Sequence, residues 1–405
     1  MKCILLHGGG LAGDPHQELG GKTLLEAAAT PNMDALARQG ILGNITMQAG
    51  GLVPNSDVVA LALLGYDPRK YYPGPAPLEA LGLDIVVGEH DVVFRCNMVT
   101  LRSQVSREKG PPTDIKKLGP SVVMDDPDAG GLEPDEAREL IDTVNEQVGS
   151  ETIQFYAGSG RRHLMVWVSG KVRAACIDPR EIVGRPIGNH LPTGDGSDML
   201  RKLMDASLII LRDHPVNDQR REAGLKPAHC LWLWGQGRAP QLSSLADRYG
   251  ITGSVVSNSD VHRGIGFCAG LSVAERDGVR PIAGADFEAL GESALKQIEK
   301  KDLVYLHAQM PSDVAENSDP KAKLKVVEEF DQRIVGRLIE GLRKFNPYRL
   351  LLICDRILAH GTPAGTAVTF PCVMAGGPVS KGGEPNGFSE SEAASALSPC
   401  EMRRN

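Results

Sequence analysis

Short apolar runs alternate with longer amphipathic stretches in the first and last parts of the chain. Residues 3–7 form an apolar run that leads into three glycines, which predicts a buried strand ending at a turn. Residues 253–257, 302–307 and 349–354 predict further strands. Between the last two, Val327, Phe330, Ile334, Leu338 and Leu342 fall on one helical stripe with charged residues opposite. This βα alternation predicts an α/β domain with a mostly parallel sheet flanked by helices.

The middle of the chain has a different pattern. Residues 91–100, 152–156, 163–168 and 230–234 predict strands, and residues 134–148 and 200–212 predict helices. All three tryptophans, Trp167, Trp232 and Trp234, lie in this part, which indicates a separate core. We therefore predict a core domain over 1–85 and 240–405, with an inserted α+β cap domain over 86–239.

Composition narrows the choice of partners. The 405 residues carry a formal net charge of −7, which argues against nucleic acid or an anionic membrane as the main partner. The first residues contain only a short apolar run, and no stretch approaches the length of a membrane span. Eight scattered cysteines without a CxxC pair are typical of reduced thiols. We expect a cytoplasmic protein that binds a small phosphorylated or acidic metabolite.

Several longer motifs carry a family resemblance. The runs ELGGKTLLEAAATPNMDALARQG, SDVVALALLGYDPRKYY, PLEA and FRCNMVT resemble cofactor-independent phosphoglycerate mutases of the archaeal type, within the alkaline phosphatase superfamily. The runs RHLMVW, GRPIGNHLP, HPVN and LWLWGQG resemble a sub-branch whose members are described as such mutases or, by proposal, as homoserine kinases. The resemblance covers nearly the whole chain. It implies an alkaline-phosphatase-like core with an inserted cap, and phosphoryl transfer through a serine held between two divalent ions.

The positions that the resemblance assigns to the metal ligands are mostly altered. Ser56 matches the nucleophile and Asp355 matches a retained ligand. The remaining matched positions carry residues that the family does not use, and we interpret them as lost ligands: Gly9, Ser312, Arg356 and Gly365. Asp313 is a possible ligand if the match slips by one residue in that loop, and Glu316, which falls on a family histidine, is a possible ligand without a slip.

These changes predict that the two-metal centre is degenerate. Two close dications need several carboxylates and imidazoles around them. A dication about 4 Å from the permanent charge of Arg356 would be repelled by roughly 8 kcal/mol at an effective dielectric of 20. We therefore expect no metal cofactor, and Mn, Mg or Zn only if the chain is an active enzyme. Ser56 then lacks activation, since His7, His16 and His360 have no spacing that identifies a base. We interpret it first as a helix N-cap, and second as an N-cap that also contacts the ligand.

The resemblance also implies a group of substrate-holding residues. Arg95, Arg162, His163 and Arg220 match such positions in the cap, and guanidinium groups suit phosphate and carboxylate. The alternative is that the arginines form structural salt bridges. Arg356 is a further candidate, because its charge could replace the metals in holding an anion beside the helix at Ser56.

Three functions remain open from the sequence. The favoured one is a non-catalytic or metal-free relative that binds a phosphorylated or acidic small molecule. The second is an active phosphoglycerate mutase or related phosphotransferase acting through Ser56. The third is a structural or assembly subunit that retains only the fold.

Overall fold

The computed structural model describes residues 1–104, 115, 117–158, 162–275, 286–311, 314–315, 319–359, 361–377 and 385–396. The chain divides into two compact units, one formed by 1–72 with 241–405 and the other by 73–240. The second unit is therefore inserted into the first. Its first boundary lies before residue 73, so that residues 73–85 belong to the inserted unit rather than to the core as we expected.

The strands alternate with helices in the first unit and cluster in the second. In chain order they are β1 (Lys2–Ala12), β2 (Ile41–Met47), β3 (Val92–Ser103), β4 (Val122–Asp126), β5 (Ile153–Tyr156), β6 (His163–Trp167), β7 (Cys230–Gly237), β8 (Gly253–Ser257), β9 (Ser272–Val273), β10 (Leu303–Gln309), β11 (Tyr348–Arg356) and β12 (Val368–Ala375).

The helices follow the same division. They are α1 (Leu24–Ala27), α2 (Pro31–Gln39), α3 (Ser56–Leu63), α4 (Pro68–Tyr71), α5 (Pro75–Gly82), α6 (Pro134–Val148), α7 (Ser197–Arg212), α8 (Pro215–Glu222), α9 (Leu245–Tyr249), α10 (Asp260–Cys268), α11 (Phe287–Lys300), α12 (Pro320–Phe330), α13 (Arg337–Leu342) and α14 (Glu390–Ser395). A π-helical turn, Asp331–Gly336, joins α12 to α13.

The first unit is built on a seven-stranded sheet in the order β2-β12-β11-β1-β10-β8-β9. The strands from β11 to β9 pair in parallel, whereas β12 is antiparallel to both β11 and β2. Parallel strands need helical crossovers, and those helices cover the sheet faces. The predicted α/β fold with a mostly parallel sheet is confirmed.

The core of the first unit forms where the long helical run packs on this sheet. Phe330 at the end of α12 is fully buried, and its ring meets Phe287 of α11 edge to face, with centroids 6.0 Å apart. The predicted stripe residues Val327, Phe330, Ile334, Leu338 and Leu342 are all buried. They keep one face through the π-helical turn, which confirms the periodicity read from the sequence.

The second unit has its own sheet and its own core. Strands β4, β3, β6 and β5 pair in that order, β7 pairs with the other edge of β3, and the pairings are antiparallel. Helices α6 and α7 bury their apolar stripes in the same cluster as Trp232 and Trp234 of β7. The α+β character predicted for the middle of the chain is confirmed.

Among the residues that the structure describes, no helix combines the length and the apolar character needed to cross a membrane.

Phe330→Ala should lower the free energy of unfolding by about 3–5 kcal/mol, because it removes a fully buried ring from the first unit's core. Chemical denaturation followed by circular dichroism measures this change. The matched control is Phe267→Ala, whose side chain is 53% exposed and whose loss should change stability by no more than about 0.5 kcal/mol. Equal effects of the two substitutions would contradict the assignment of Phe330 to the core.

Candidate active site

A row of polar side chains crosses three neighbouring parallel strands of the first unit. His7 of β1 is the register partner of His307 of β10, and His307 is the register partner of Ser257 at the end of β8. Register partners on adjacent strands point to the same face of a sheet. All three side chains are buried, and they lie towards the carboxyl ends of their strands, where parallel sheets place ligand sites.

A third imidazole joins the row from α10, the helix that follows β8. The ring of His262 stacks on that of His307, with centroids 3.4 Å apart and planes 3° from parallel. The His7 ring centroid lies 4.9 Å from that of His307 and 5.7 Å from that of His262. Each of the three buried residues offers one ligating atom within 4.8 Å of the others. We call His7, His262 and His307 the histidine cluster.

Each ring of the histidine cluster has its Nδ1 atom against a hydroxyl group. Nδ1 of His7 lies 3.0 Å from the Tyr305 hydroxyl, and Nδ1 of His307 lies 2.9 Å from Oγ of Ser257. Nδ1 of His262 lies 3.0 Å from Oγ of Ser259, the residue that precedes α10. The hydroxyl groups fix the ring orientations and leave the three Nε2 atoms on the other side of the rings.

The Nε2 atoms have three different surroundings. Nε2 of His7 lies 2.9 Å from Oδ2 of Asp355, whose Oδ1 accepts a 2.5 Å hydrogen bond from the Gly10 amide. Nε2 of His262 lies 3.3 Å from Oγ of Ser56. Nε2 of His307 is buried and has no hydrogen-bond partner among the described residues. A carboxylate, a hydroxyl and an unpaired nitrogen therefore surround the cluster.

Burial sets the protonation of the central ring. It lowers the pKa of His307 well below its usual value, and the neighbouring His262 and His7 lower it further. Burial also raises the pKa of Tyr305, helped by the nearby carboxylates of Asp355 and Asp57. His307 is thus neutral at physiological pH, which is the form of imidazole that binds metal ions.

Ser56 occupies the first position of α3 and is not its N-cap. The cap is Asn55, whose side-chain oxygen accepts a 3.1 Å hydrogen bond from the Val58 amide. The N-cap role considered for Ser56 is therefore wrong, because its neighbour performs it. The Ser56 hydroxyl is left for its contact with His262.

The positions interpreted as lost ligands differ in their surroundings. At Gly9, an added Cβ would lie 2.7 Å from Nε2 of His307 and 2.6 Å from Oε1 of Gln309, so the glycine makes room for the histidine cluster. Gly365 adopts a left-handed backbone with φ of +81° and offers no side chain. Arg356 forms an ion pair with the exposed Asp14. Ser312, Asp313, Glu316 and His360 lie outside the described residues.

The expectation of no metal cofactor is corrected by this geometry. It rested on the altered ligand positions and on the charge of Arg356. The structure instead assembles three buried imidazoles that could hold a metal ion, with an unpaired nitrogen and the space left by Gly9 beside it. Asp14 also offsets part of the positive charge of Arg356. The residues present therefore fit a metal ion, although through ligands other than those that the resemblance implies.

Two of the predicted substrate-binding arginines have structural partners in the second unit. Nε of Arg95 donates to Glu79 at 2.6 Å, both residues are buried, and the guanidinium lies 5.2 Å from the Trp234 ring. Arg220 is 2% exposed. Its guanidinium donates to Glu136 and to the carbonyl oxygens of Lys226, Ala129 and Gly131. The structure does not support substrate binding by Arg220, because its nitrogens are already engaged.

The other two predicted residues of the second unit lie at the start of β6. Arg162 is half-buried and directly precedes the strand. His163 is buried, its Nδ1 accepts from the Gly158 amide at 3.3 Å, and its Nε2 has no partner in the described part of the chain. Burial lowers the pKa of His163 to about 4, partly opposed by the charge of Glu79. Both residues remain predictions as substrate-binding groups.

His262 and His307 are the site residues that the sequence analysis missed. His7 was considered there, but without a partner. The available signal was the strand pattern: residues 3–7, 253–257 and 302–307 were predicted as strands, and each ends in His or Ser. Because carboxyl ends of neighbouring parallel strands meet at one edge of a sheet, these residues could have been grouped. His262 had no comparable signal.

Comparison with known proteins finds one family model and relatives that carry the same mutase name. The family model for 2,3-bisphosphoglycerate-independent phosphoglycerate mutase matches residues 37–217. A Geobacter sulfurreducens protein named "Probable 2,3-bisphosphoglycerate-independent phosphoglycerate mutase" is 40% identical over 98% of this chain and 96% of its own length. A Methanothrix thermoacetophila protein named as the same mutase is 38% identical over 90% of this chain and 86% of its own length.

Solved structures show the same fold. A protein from Pyrococcus horikoshii matches with a TM-score of 0.71 and 23% identity, covering 98% of this chain and 92% of its own. A cofactor-independent phosphoglycerate mutase from Thermoplasma acidophilum matches with a TM-score of 0.58 and 24% identity, covering 98% and 96%. These two matches confirm the predicted fold class over nearly the whole chain.

The lowered pKa of His163 predicts an acid-sensitive second unit. The unfolded chain takes up a proton below its usual pKa of about 6.5, whereas the folded histidine stays neutral until about pH 4. The contribution of His163 to the free energy of unfolding is therefore fully present above about pH 6.5. It falls by about 3 kcal/mol as the pH drops to 4. Denaturant titrations across this range should show a shallower loss for His163→Asn, whose side-chain oxygen can still accept from Gly158.

The control for this measurement is His190→Asn, which changes a half-buried histidine elsewhere in the same unit. It should keep the wild-type dependence on pH. An unchanged pH dependence in His163→Asn would show that this histidine does not cause the acid sensitivity.

Proposed function

The chain belongs to the 2,3-bisphosphoglycerate-independent phosphoglycerate mutase family, and we propose that it is an active mutase that interconverts 2- and 3-phosphoglycerate. One observation carries the proposal for this chain: the Ser56 hydroxyl lies 3.3 Å from His262 within a buried cluster of imidazoles. A serine becomes a phosphoryl acceptor only beside a base or a metal ion, and this geometry can provide either.

The proposed reaction transfers the phosphoryl group twice. Oγ of Ser56 attacks the phosphorus of the bound phosphoglycerate, and the bond between phosphorus and the substrate oxygen breaks. The serine loses its proton, and the released glycerate oxygen gains one. The other glycerate hydroxyl then attacks the phosphoserine, which restores the Ser56 hydroxyl. Protons and phosphoryl groups balance over the cycle, so no second phosphate donor is needed.

His262 orients the serine for this attack. With no ion on the ring, and in the tautomer whose Nδ1–H donates to Ser259, its Nε2 accepts a hydrogen bond from the Ser56 hydroxyl; an ion held by Nε2 would replace this hydrogen bond. This places the serine proton on the imidazole side and leaves oxygen lone pairs for the phosphorus. Ser259 in turn fixes the imidazole, since its amide donates to Oγ of Ser257 at 2.9 Å.

A metal ion at the histidine cluster would be held by His7, His262 and His307. Such an ion, when bound, supplies positive charge that stabilises the serine alkoxide and the transferring phosphoryl group. Asp355 already lies against His7 and can balance part of that charge.

Positive side chains provide the remaining substrate contacts in this proposal. Arg356 follows Asp355 directly, and its Nε atom is buried without a hydrogen-bond partner among the described residues. Its pairing with the exposed Asp14 leaves this donor for a phosphate or carboxylate oxygen. Arg162 and His163 are proposed substrate contacts of the second unit, whereas the ion pair with Glu79 makes Arg95 the weaker candidate.

Family membership favours this function over the two other functions left open by the sequence. The relatives named as mutases match along most of their length, which supports the active enzyme rather than a non-catalytic binder or a structural subunit. The substrate class, a phosphorylated three-carbon acid, also agrees with the small acidic metabolite that we expected as a partner.

Purified protein should convert 3-phosphoglycerate to 2-phosphoglycerate without added 2,3-bisphosphoglycerate, and Ser56→Ala should lose at least about 10³-fold in kcat because the phosphoryl acceptor is absent. A coupled enolase assay with Zn²⁺, Mn²⁺ or Mg²⁺ added in turn measures the rate. Mass spectrometry should detect a phosphate on Ser56 in rapidly quenched wild-type protein.

The matched control is Ser395→Ala, which removes an exposed hydroxyl near the end of α14 and should leave the rate unchanged. Absence of turnover by the wild-type protein with every ion would contradict the proposed function. Full activity of Ser56→Ala would contradict only the proposed role of Ser56 and not the mutase activity.

A further inference from the structure

We propose that the histidine cluster is a site for one divalent ion of the imidazole-preferring class, zinc above all, with the Ser56 hydroxyl at its exchangeable position. This site differs from the centre of two ions that the resemblance implies. The inference deepens the proposed function and rests on it only for the role of Ser56. The metal site itself follows from the geometry of the buried side chains.

The three imidazoles present the same atom to a shared space. With each Nδ1 against a hydroxyl group, Nε2 is the atom of each ring that an ion would use, and in His7 and His262 the ion would replace the present contacts with Asp355 and Ser56. The ligating atoms of the three residues lie within 4.8 Å of one another, and an ion among them would form bonds of about 2.0–2.1 Å once the stacked rings of His262 and His307 turn towards it. The buried, unpaired Nε2 of His307 is otherwise unexplained.

The hydroxyl groups form the outer support that metal-binding histidines require. Ligating imidazoles usually donate their other N–H to an oxygen, which fixes the tautomer and the ring orientation. Tyr305, Ser259 and Ser257 each supply such an oxygen, one for each ring. Three buried histidines with the same arrangement indicate a preorganised ligand set and not a chance grouping.

Asp355 and Ser56 complete the surroundings of the ion. The Asp355 carboxylate lies against Nε2 of His7, and the Ser56 hydroxyl lies against Nε2 of His262. Catalytic zinc sites combine three protein ligands with one exchangeable position. In this proposal the three imidazoles are the three protein ligands of the ion, and the Asp355 carboxylate balances part of its charge. The Ser56 oxygen takes the exchangeable position.

The same residues argue for one ion and not two. Two positions that the resemblance assigns to ligands are glycines, and a side chain at Gly9 would collide with His307. A third such position is Arg356, a permanent cation. Among the described residues, the candidate metal-ligand groups include this cluster alone. A single ion needs no further ligands, whereas a second ion beside it would need more carboxylates.

The ligand type selects the ion. Neutral imidazole suits zinc and its neighbours among the later transition metals, whereas magnesium prefers oxygen ligands and retains its water. A buried set of three imidazoles with one carboxylate should therefore bind Zn²⁺ strongly and Mg²⁺ weakly.

The test is metal binding by the full chain after treatment with a chelator. Isothermal titration with Zn²⁺ should give one ion per chain, and titration with Mg²⁺ should give no saturable binding at millimolar concentration. Co²⁺ should produce the visible absorption bands of a four- or five-coordinate nitrogen site. Two zinc ions per chain, or no saturable zinc binding, would overturn the inference.

Substitutions locate the ion. His7→Ala, His262→Ala and His307→Ala should each weaken zinc binding by more than about 100-fold, since losing even an outer hydrogen-bond partner costs about 10–100-fold. Ser257→Ala should weaken it by about 10–100-fold and is the variant to use if a histidine variant fails to fold. The control His190→Ala, in the second unit, should bind zinc as the wild type does. Unchanged binding in the folded variants would overturn the site.

This inference and the proposed function can fail separately. One zinc ion at the cluster without mutase turnover would keep the metal site and reject the function. Turnover that survives the chelator, together with no saturable zinc binding, would keep the function and reject the metal site.

Discussion

Buried polar groups at the carboxyl ends of the parallel strands must find partners inside the protein, and this constraint shapes the site. His7, His307 and Ser257 lie in one row because β1, β10 and β8 pair in register. These side chains are buried, and each ring has a hydroxyl group against one nitrogen. The other nitrogens, together with Asp355 and Ser56, then share one space, where chemistry becomes possible.

The contacts in the structure change how the altered ligand positions are interpreted. A glycine at position 9 is a loss if the centre is expected to contain an aspartate there. Next to Nε2 of His307 it is instead a requirement, because any side chain would enter the space of the imidazole. Arg356 likewise meets Asp14, which lies near the end of β1, so its charge is partly offset. In the proposed site, imidazoles therefore take the place of the carboxylate ligands that the resemblance implies, and Ser56 keeps the position proposed for the nucleophile.

In the second unit, two arginines that match substrate-holding positions are paired inside the fold. Arg95 and Arg220 match substrate-holding positions, yet both are buried with carboxylate partners, Glu79 and Glu136. A buried guanidinium without a partner would be costly, and a paired one is expensive to disturb. These contacts favour a structural role for both arginines over a substrate-binding one. Resemblance places a residue in a sequence motif, but only its contacts decide whether its charge is available.

The sequence alone determined the elements, the family resemblance and the inserted middle unit, because apolar periodicity and long motifs are local properties. The stripe from Val327 to Leu342 and the strands that contain His7, Ser257 and His307 could all be predicted in this way. Only the tertiary structure decided the site. Ser56 and His262 are 206 residues apart, and nothing in either segment indicates the other. Strand order and helix packing bring them together, and the same packing pairs Arg356 with Asp14. Spatial neighbours of this kind fix protonation, metal preference and available charge, which a ligand-by-ligand comparison of sequence positions cannot show.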